Sequence, residues 1–367
     1  MKTPIGSSTI DHNVDHTTDS MERIKNFVEQ IPIYNPLSDL SKAYRNPLAT
    51  FAVAFWMALM PLSVLGQLLV WFNPFLWPYW LWINMDSAPV KGGRVLPWVR
   101  NWTIWKYFKS YFPVNIVKEV DLPSDTNYLF AAHPHGILPL GLWCNFATEA
   151  NHISEEFPGI NFSLCTLESN FTIPFLRDLM LSLGILPVSE ESIRYVLEKT
   201  GVHGREKGKA SAIIDVVGGS AESLDVQPGR ARLTLKKRTG FARIAIETGS
   251  DLVPVFTFGE NEMFYQVDNP RGSWLRFIQE TLKTLIGMSP TLFWGVSIKG
   301  PDWGFLPMQV PLTSVVGRPI KVQKMEKATD EAIENLKAQY IRELKALYDR
   351  HKDTYAKDRK EELDIVQ

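Results

Sequence analysis

Four short stretches carry side chains able to do chemistry. In Ala131-Ala-His-Pro-His-Gly-Ile-Leu-Pro-Leu-Gly141, His133 and His135 flank Pro134 ahead of Gly136. Histidine titrates near neutrality and can take a proton from a hydroxyl. The pair reads as a His-x-His metal site, as structural histidines of a tight turn, or as the seat of a general base. A metal needs further ligands, and no nearby Asp or Cys has helpful spacing, so the general base leads. In Gly218-Gly-Ser-Ala-Glu-Ser-Leu224 the adjacent glycines, Gly218 and Gly219, let successive N–H groups line an anion-binding concavity. Glu222 would either orient the base or be an ordinary first-turn carboxylate. Ser220 lacks a Gly-x-Ser-x-Gly elbow, and the chain has neither a P-loop nor a dinucleotide fingerprint. Between Arg230 and Arg243 lie the cations Arg230, Arg232, Lys236, Lys237, Arg238 and Arg243, which would hold phosphate, lie on a membrane surface or simply be solvated. In Pro254-Val-Phe-Thr-Phe-Gly-Glu-Asn261 an apolar run leads into Glu260 and Asn261.

These stretches need a frame that sets them side by side. Apolar runs predict strands at 128–132, 162–166, 212–217, 252–258 and 312–316. Helical spacing predicts helices at 138–149, 174–183, 192–199, 240–248, 274–286 and 330–352. The alternation argues an α/β fold with a mostly parallel sheet and crossover helices. In such sheets ligands gather at the carboxyl ends of strands, where the histidine and glycine loops fall. The last helix carries Ile333, Leu336, Tyr340, Leu344, Leu347 and Tyr355 at helical spacing, behind Thr329 as N-cap. It reads as an amphipathic helix docked on the domain.

Lys and Arg number 39 against 40 Asp and Glu, which argues against a general nucleic-acid binder. The two cysteines, Cys144 and Cys165, exclude a disulfide scaffold and a four-thiolate zinc site, and their apolar contexts predict buried thiols. The charges are segregated. Residues 46–85 contain none, and hold five of the 12 tryptophans, while Lys324 to Asp364 carries 21 charged residues. The uncharged stretch is too long for one bilayer span of about 20 residues and suits two short ones, with Pro61, Gly66 and Asn73-Pro74 as candidate breaks. Basic residues on both flanks favour both ends on the cytosolic side, hence a membrane hairpin. The organisation expected is a polar, partly disordered N-terminus at 1–45, a membrane-embedded helical hairpin at 46–85, and a cytosolic domain at 86–367. Three glycosylation patterns, at Asn101, Asn161 and Asn170, read as chance matches in a cytosolic domain.

From about residue 45 to 365 the chain resembles the type 2 diacylglycerol acyltransferase family, which also contains monoacylglycerol and wax-alcohol acyltransferases, and within it the fungal members. The likeness rests on an ordered set: Tyr111-Phe-Pro113, His133-Pro-His-Gly136, Arg177-Asp178, Gly218 to Leu224, Arg238-Thr-Gly-Phe241, Leu252 to Asn261 and Gly317-Arg-Pro-Ile320. The resemblance implies a glycerolipid-acyltransferase-like domain that moves an acyl group from acyl-CoA to diacylglycerol. It implies His135 as catalytic histidine, no cofactor beyond acyl-CoA as co-substrate, and no metal. It also implies an enzyme of the endoplasmic reticulum membrane and lipid droplet, in contact with membrane lipid and open to self-association. Three departures stand out. Ser220 replaces an alanine. A Phe-Leu-x-Leu pattern is missing, the nearest run being Phe75-Leu-Trp-Pro78. The pairing of His with Asp five residues on is absent, Leu138 and Leu140 standing there. A carboxylate partner must then come from elsewhere, with Glu222 the candidate. Two rivals from other classes are a non-catalytic, hairpin-anchored lipid-droplet protein and a metal-dependent lipid hydrolase using both histidines.

Overall fold

The structure is a computed structural model that describes residues 46–203, 209–286 and 289–366, so the polar segment expected at 1–45 lies outside the described residues apart from its boundary. Asn46 begins the first helix. Its side chain accepts from the N–H groups of Leu48 and Ala49, and Pro47 follows at N1, where its missing N–H costs nothing.

Helix α1 spans Pro47–Phe72 and runs through both Pro61 and Gly66. Those two expected breaks are therefore corrected. One proline removes one backbone donor, and the turns on either side carry the helix across it. The break comes at Asn73, whose side chain caps a single 3-10 turn, Pro74–Leu76, followed by the nine-residue helix α2, Trp77–Met85. At 1.5 Å per residue α1 is about 39 Å long, enough for a bilayer core of about 30 Å, whereas α2 is about 14 Å. The uncharged stretch thus makes one helix of spanning length and a short arm, not the two short spans expected. The first turns of α1 dock on the domain. Ala49, Ala52 and Val53 are buried, and Trp56 stacks on Trp143 with centroids 3.8 Å apart. Beyond Met60 the apolar side chains are mostly exposed.

Helix α3 (Thr103–Tyr111) leads to a seven-stranded sheet: β1 (Val114–Lys118), β2 (Tyr128–His133), β3 (Ile160–Thr166), β4 (Ile185–Pro187), β5 (Ala210–Val216), β7 (Asp251–Phe258) and β11 (Leu312–Val316). The spatial order is β1-β11-β7-β2-β5-β3-β4, parallel except for the β11–β7 pair. All residues of β2 and β7 are buried, as expected for parallel strands covered on both faces. The crossovers are α4 (Leu140–Ala147), α5 (Leu176–Leu183), α6 (Glu190–Lys199), α7 (Gly219–Ser223) and α8 (Gly240–Thr248). The α/β fold with a mostly parallel sheet holds.

Several elements have no legible periodicity. Strands β1 and β4 are short. Strands β6 (Arg232–Thr234) and β12 (Asp364–Val366) pair only with each other, and β8 (Tyr265–Gln266), β9 (Phe293–Ser297) and β10 (Gly300–Gly304) form a small separate sheet. Helix α9 spans Trp274–Ile286, and α10 spans Asp330–Tyr355, with the Thr329 hydroxyl capping Ala332 N–H at 3.2 Å. Cys144 and Cys165 are both buried free thiols.

Candidate active site

The register of the parallel strands puts the predicted site residues on one edge. Ala131 of β2 lies opposite Asp215 of β5, and His133 ends β2 just as β5 gives way to Gly218-Gly219. The histidine and glycine loops therefore leave adjacent strands at their carboxyl ends.

The two histidines have different surroundings. His133 is fully buried, and neither ring nitrogen has a hydrogen-bond partner. Its Nδ1 lies 3.8 Å from Glu222 Oε2, beyond hydrogen-bond range. His135 is partly exposed. Its Nδ1 lies 3.1 Å from the Gly136 carbonyl oxygen. A proton on Nδ1 satisfies that contact and leaves the Nε2 lone pair open. Burial of the ring lowers the His135 pKa against the opposing pull of the Gly136 carbonyl and Glu222, which keeps the imidazole neutral at pH 7.

Glu222 joins the two loops through main chain. Its Oε1 accepts the backbone N–H of His135 at 2.7 Å and its Oε2 accepts that of Thr234 at 3.1 Å. It fixes where His135 stands by holding the loop, and does not meet the His135 ring. The dyad in which Glu222 orients the imidazole directly is corrected to this indirect arrangement. Gly218 is required for it. A Cβ there would come within 1.9 Å of Glu222 Oε2.

Gly218 is right-handed helical and Gly219 has φ 57°, the alternation that turns successive N–H groups into an anion nest. Arg238 donates to the Gly218 carbonyl at 3.1 Å, which sets a cation beside the nest. The other predicted cations are placed elsewhere. Arg230 and Arg232 each pair with Glu361 at 3.0 Å, and Arg243 pairs with Glu190 at 2.7 Å. Lys236 and Lys237 are exposed, and the Lys236 carbonyl accepts from Lys337.

Glu260 sits under the histidine loop. Its Oε1 accepts from the N–H groups of Gly141 and Leu142 at the start of α4, at 2.8 and 3.1 Å, and its Oε2 has no partner. Burial pushes this carboxyl up to about 8, against the pull of the α4 amides. Gly136, at φ 61°, comes so near that a Cβ would meet the Glu260 carbonyl oxygen at 3.1 Å. Asn261 donates to the Arg230 carbonyl at 2.7 Å and tethers the basic segment. Glu260 and Asn261 thus brace the loops from below.

Asp215 was not singled out by sequence. It shares a sheet face with His133, two residues beyond its partner Ala131. Burial pushes its carboxyl up to about 6, with His133 and Arg238 pulling the other way. An acidic residue in an otherwise apolar strand, Ala210-Ser-Ala-Ile-Ile-Asp-Val216, was the available signal. Tyr340 of α10 closes this face, its hydroxyl donating to the Ala131 carbonyl at 2.9 Å. Among the described residues no group of three or more His, Cys, Asp or Glu side chains is placed to hold a metal ion. A cleft of about 540 Å³ beside α10, lined by Lys321, Gln339 and Arg342 among others, contains none of these residues.

A sequence model of the diacylglycerol acyltransferase family matches residues 64–366. The chain belongs to the diacylglycerol acyltransferase family. It is accordingly an acyltransferase of lipid biosynthesis. A diacylglycerol O-acyltransferase 2 of Xenopus tropicalis is 44% identical over 290 residues, 78% of either chain. The Homo sapiens protein of that name is 44% identical over 289 residues, covering 78% of this chain and 73% of its own. A fungal relative, diacylglycerol O-acyltransferase 2B of Umbelopsis ramanniana, is 39% identical over 356 residues, 92% of this chain and all of its own. The resemblance drawn from the motifs is borne out. Among solved structures, the 1-acyl-sn-glycerophosphate (LPA) acyltransferase PlsC of Thermotoga maritima superposes with a TM-score of 0.37 at 13% identity, covering 83% of this chain and 96% of that one, a likeness too slight to build on.

Proposed function

We propose that this family member transfers the acyl group of acyl-CoA to the free hydroxyl of diacylglycerol, with His135 as general base. The observation that carries the reading is the placement of His135: Nδ1 tied to a carbonyl, Nε2 open, the ring neutral at pH 7, and the loop held by Glu222.

In this mechanism His135 Nε2 takes the acceptor's hydroxyl proton as the oxygen attacks the thioester carbonyl carbon. The C–S bond then breaks, and the CoA sulfur takes the proton back from the imidazolium. General-base help of this kind is worth about 10²–10⁴-fold. The N–H groups of the Gly218–Gly219 nest, or that of Gly136, suit the oxyanion, and Arg238 suits a CoA phosphate. His133, sealed from solvent, serves as packing against Glu222 and Tyr340 and not as the proton acceptor. The reaction asks for no metal and no cofactor beyond the co-substrate.

Membrane attachment belongs to the same reading. Helix α1 is long and apolar enough to cross, and α2 would return as a short arm, completing the hairpin at 46–85 with the domain 86–367 in the cytosol. Helix α9 supports a second contact with lipid. It buries Arg276 and Gln279 while Trp274, Phe277, Ile278 and Leu282 face outward. That polarity suits a helix lying in a membrane interface, here of the endoplasmic reticulum or a lipid droplet.

The test is acyl transfer in microsomes from cells lacking neutral-lipid synthesis, with labelled acyl-CoA and diacylglycerol, monoacylglycerol and a long-chain alcohol offered in parallel. Triacylglycerol as the dominant product is expected. Preferential labelling of either other acceptor reassigns the acceptor, and no transfer to any of them contradicts the proposal.

A further inference from the structure

We infer, building on the proposed acyl transfer to diacylglycerol, that the apolar groove between α1 and the α5 loop holds a hydrocarbon chain of the acceptor lipid, and that Phe175 sets its depth. The groove is a cavity of about 200 Å³ walled by Leu59, Leu62 and Gly66 of α1 and by Phe175, Leu176 and Leu179. No charged side chain lines it.

Phe175 is held in a conformation that packing alone would not select. Its backbone stands at φ 65°, ψ −44°, and Leu176 N–H donates to the Pro174 carbonyl at 2.7 Å. This is the γ-turn of positive φ, rare and strained for any residue with a Cβ. Such strain persists only where surroundings hold it. Here α2 supplies the hold. The Tyr79 hydroxyl accepts the Phe175 N–H at 2.8 Å and itself donates to Asp178, and the Tyr79 and Phe175 rings stack with centroids 5.2 Å apart. The neighbouring Arg177, fully buried, pairs with Asp86 at 2.7 Å and fixes the same junction. Yet the Phe175 side chain remains 49% exposed. A strained aromatic left half in the open does not serve the core. It forms one wall of the groove, and a Cβ at Gly66 would lie 3.5 Å from its ring.

Position identifies the occupant. The Phe175 loop follows the carboxyl end of β3, which pairs with β5, so the Phe175 end of the groove lies on the same sheet edge as the loops that bear His135 and Gly218. Its other wall is the exposed, uncharged part of α1, which an apolar molecule can follow out of a bilayer. A phosphate-bearing donor is drawn to cations such as Arg238, whereas diacylglycerol carries no charge and partitions into lipid. The acceptor's acyl chain therefore matches the groove.

The experiment measures kcat/KM of the full-length protein in microsomes for long- and short-chain diacylglycerols at one fixed acyl-CoA, and then for acyl-CoA chain length at one fixed diacylglycerol. Filling the groove by Gly66→Leu should lower the long-to-short acceptor ratio roughly tenfold, the scale of a hydrophobic-pocket mismatch. Opening it by Phe175→Ala should raise that ratio several-fold. Leu69→Ala, outside the groove, should leave it unchanged and controls for changes in α1 generally. The acyl-CoA profile should not move in any variant. An unchanged acceptor ratio in folded, active Phe175→Ala protein overturns the inference, as does a shift in acyl-CoA preference in place of acceptor preference. If the unmodified chain makes no triacylglycerol, the proposed function falls and this inference with it; if it does and the ratios stay fixed, only the inference falls.

Discussion

Helix α10 buries Ile333, Leu336, Tyr340, Leu344 and Leu347 and, Lys337 apart, turns its charges to water, while α9 buries Arg276 and Gln279 and turns aromatic and aliphatic side chains outward. Both have helical apolar spacing, and they are inside out relative to each other. The buried side of α9 is satisfied by polar contacts next to the glycine loop. Arg276 donates to the Leu224 carbonyl at 3.0 Å and pairs with Asp225 at 2.7 Å, and Gln279 accepts from Asn269 at 2.8 Å. The comparison teaches that amphipathicity alone does not say which face is the core. Partners for the polar face decide it, and for α9 those partners come from the loops after α7.

The largest effect on this contrast should come from the loop side. Gly218→Ala drives a Cβ into the Glu222 carboxylate and should free the His135 N–H, lowering kcat by about 10²-fold or more, the scale of a displaced catalytic group. Measurement of acyl transfer with normal expression checks it, and activity within threefold of the parent would mean that Glu222 does not set the loop. Next in size is Arg276→Leu, which takes the shorter of two cation contacts from the Asp225 carboxylate and one of two donors from the Leu224 carbonyl, leaving Arg271 at 3.4 Å and Asn269 at 3.2 Å, and should cost about 2 kcal/mol of stability in thermal unfolding. The equivalent change on α10, Lys345→Leu on its charged exposed side, should stay within about 0.5 kcal/mol. If both cost the same, the inversion has no structural weight. Smaller still is Phe277→Asp, which should lower the microsomal or droplet-bound fraction of an α1-truncated chain severalfold without unfolding it.

A pH effect distinguishes the buried carboxyl from the exposed ones. The folded-state Glu260 carboxyl is pushed up to about 8, well above its unfolded value, so the folded chain keeps a proton that the unfolded chain releases. Its contribution falls as pH rises from about 4.5 to about 8. Glu260→Gln mimics the protonated form and should remove on the order of 1 kcal/mol per pH unit from the slope in that window, most plainly above about pH 6, where the Asp215 carboxyl has already titrated. An unchanged slope would mean that another group carries it.

The sequence was informative where periodicity or spacing is local. The bounds 240–248, 274–286 and 312–316 match α8, α9 and β11, and the two loops fall at strand ends as predicted. It was silent where long-range partners decide. Nothing in Glu222 says that its oxygens reach backbone N–H groups at 135 and 234, so a direct His–Glu contact was the natural guess. Three-residue strands such as β4 and β6 have too few positions to show a period. Pro61 looked like a helix break because local rules penalise it, yet the turns around it continue α1. Phe175 in its strained turn is readable only once Tyr79, nearly a hundred residues earlier, is seen to hold it.

The central claim is that His135, and not its neighbour His133, exchanges the acceptor's proton. Its most direct test is kcat/KM for acyl transfer to diacylglycerol in His135→Ala and His133→Ala membranes, matched for folded protein, across pH. Loss of about 10²–10⁴-fold in His135→Ala, a clearly smaller loss in His133→Ala, and a parent acidic limb below the ordinary histidine value of 6.5 are expected. Near-normal transfer by His135→Ala, or the larger loss in His133→Ala, would contradict the account.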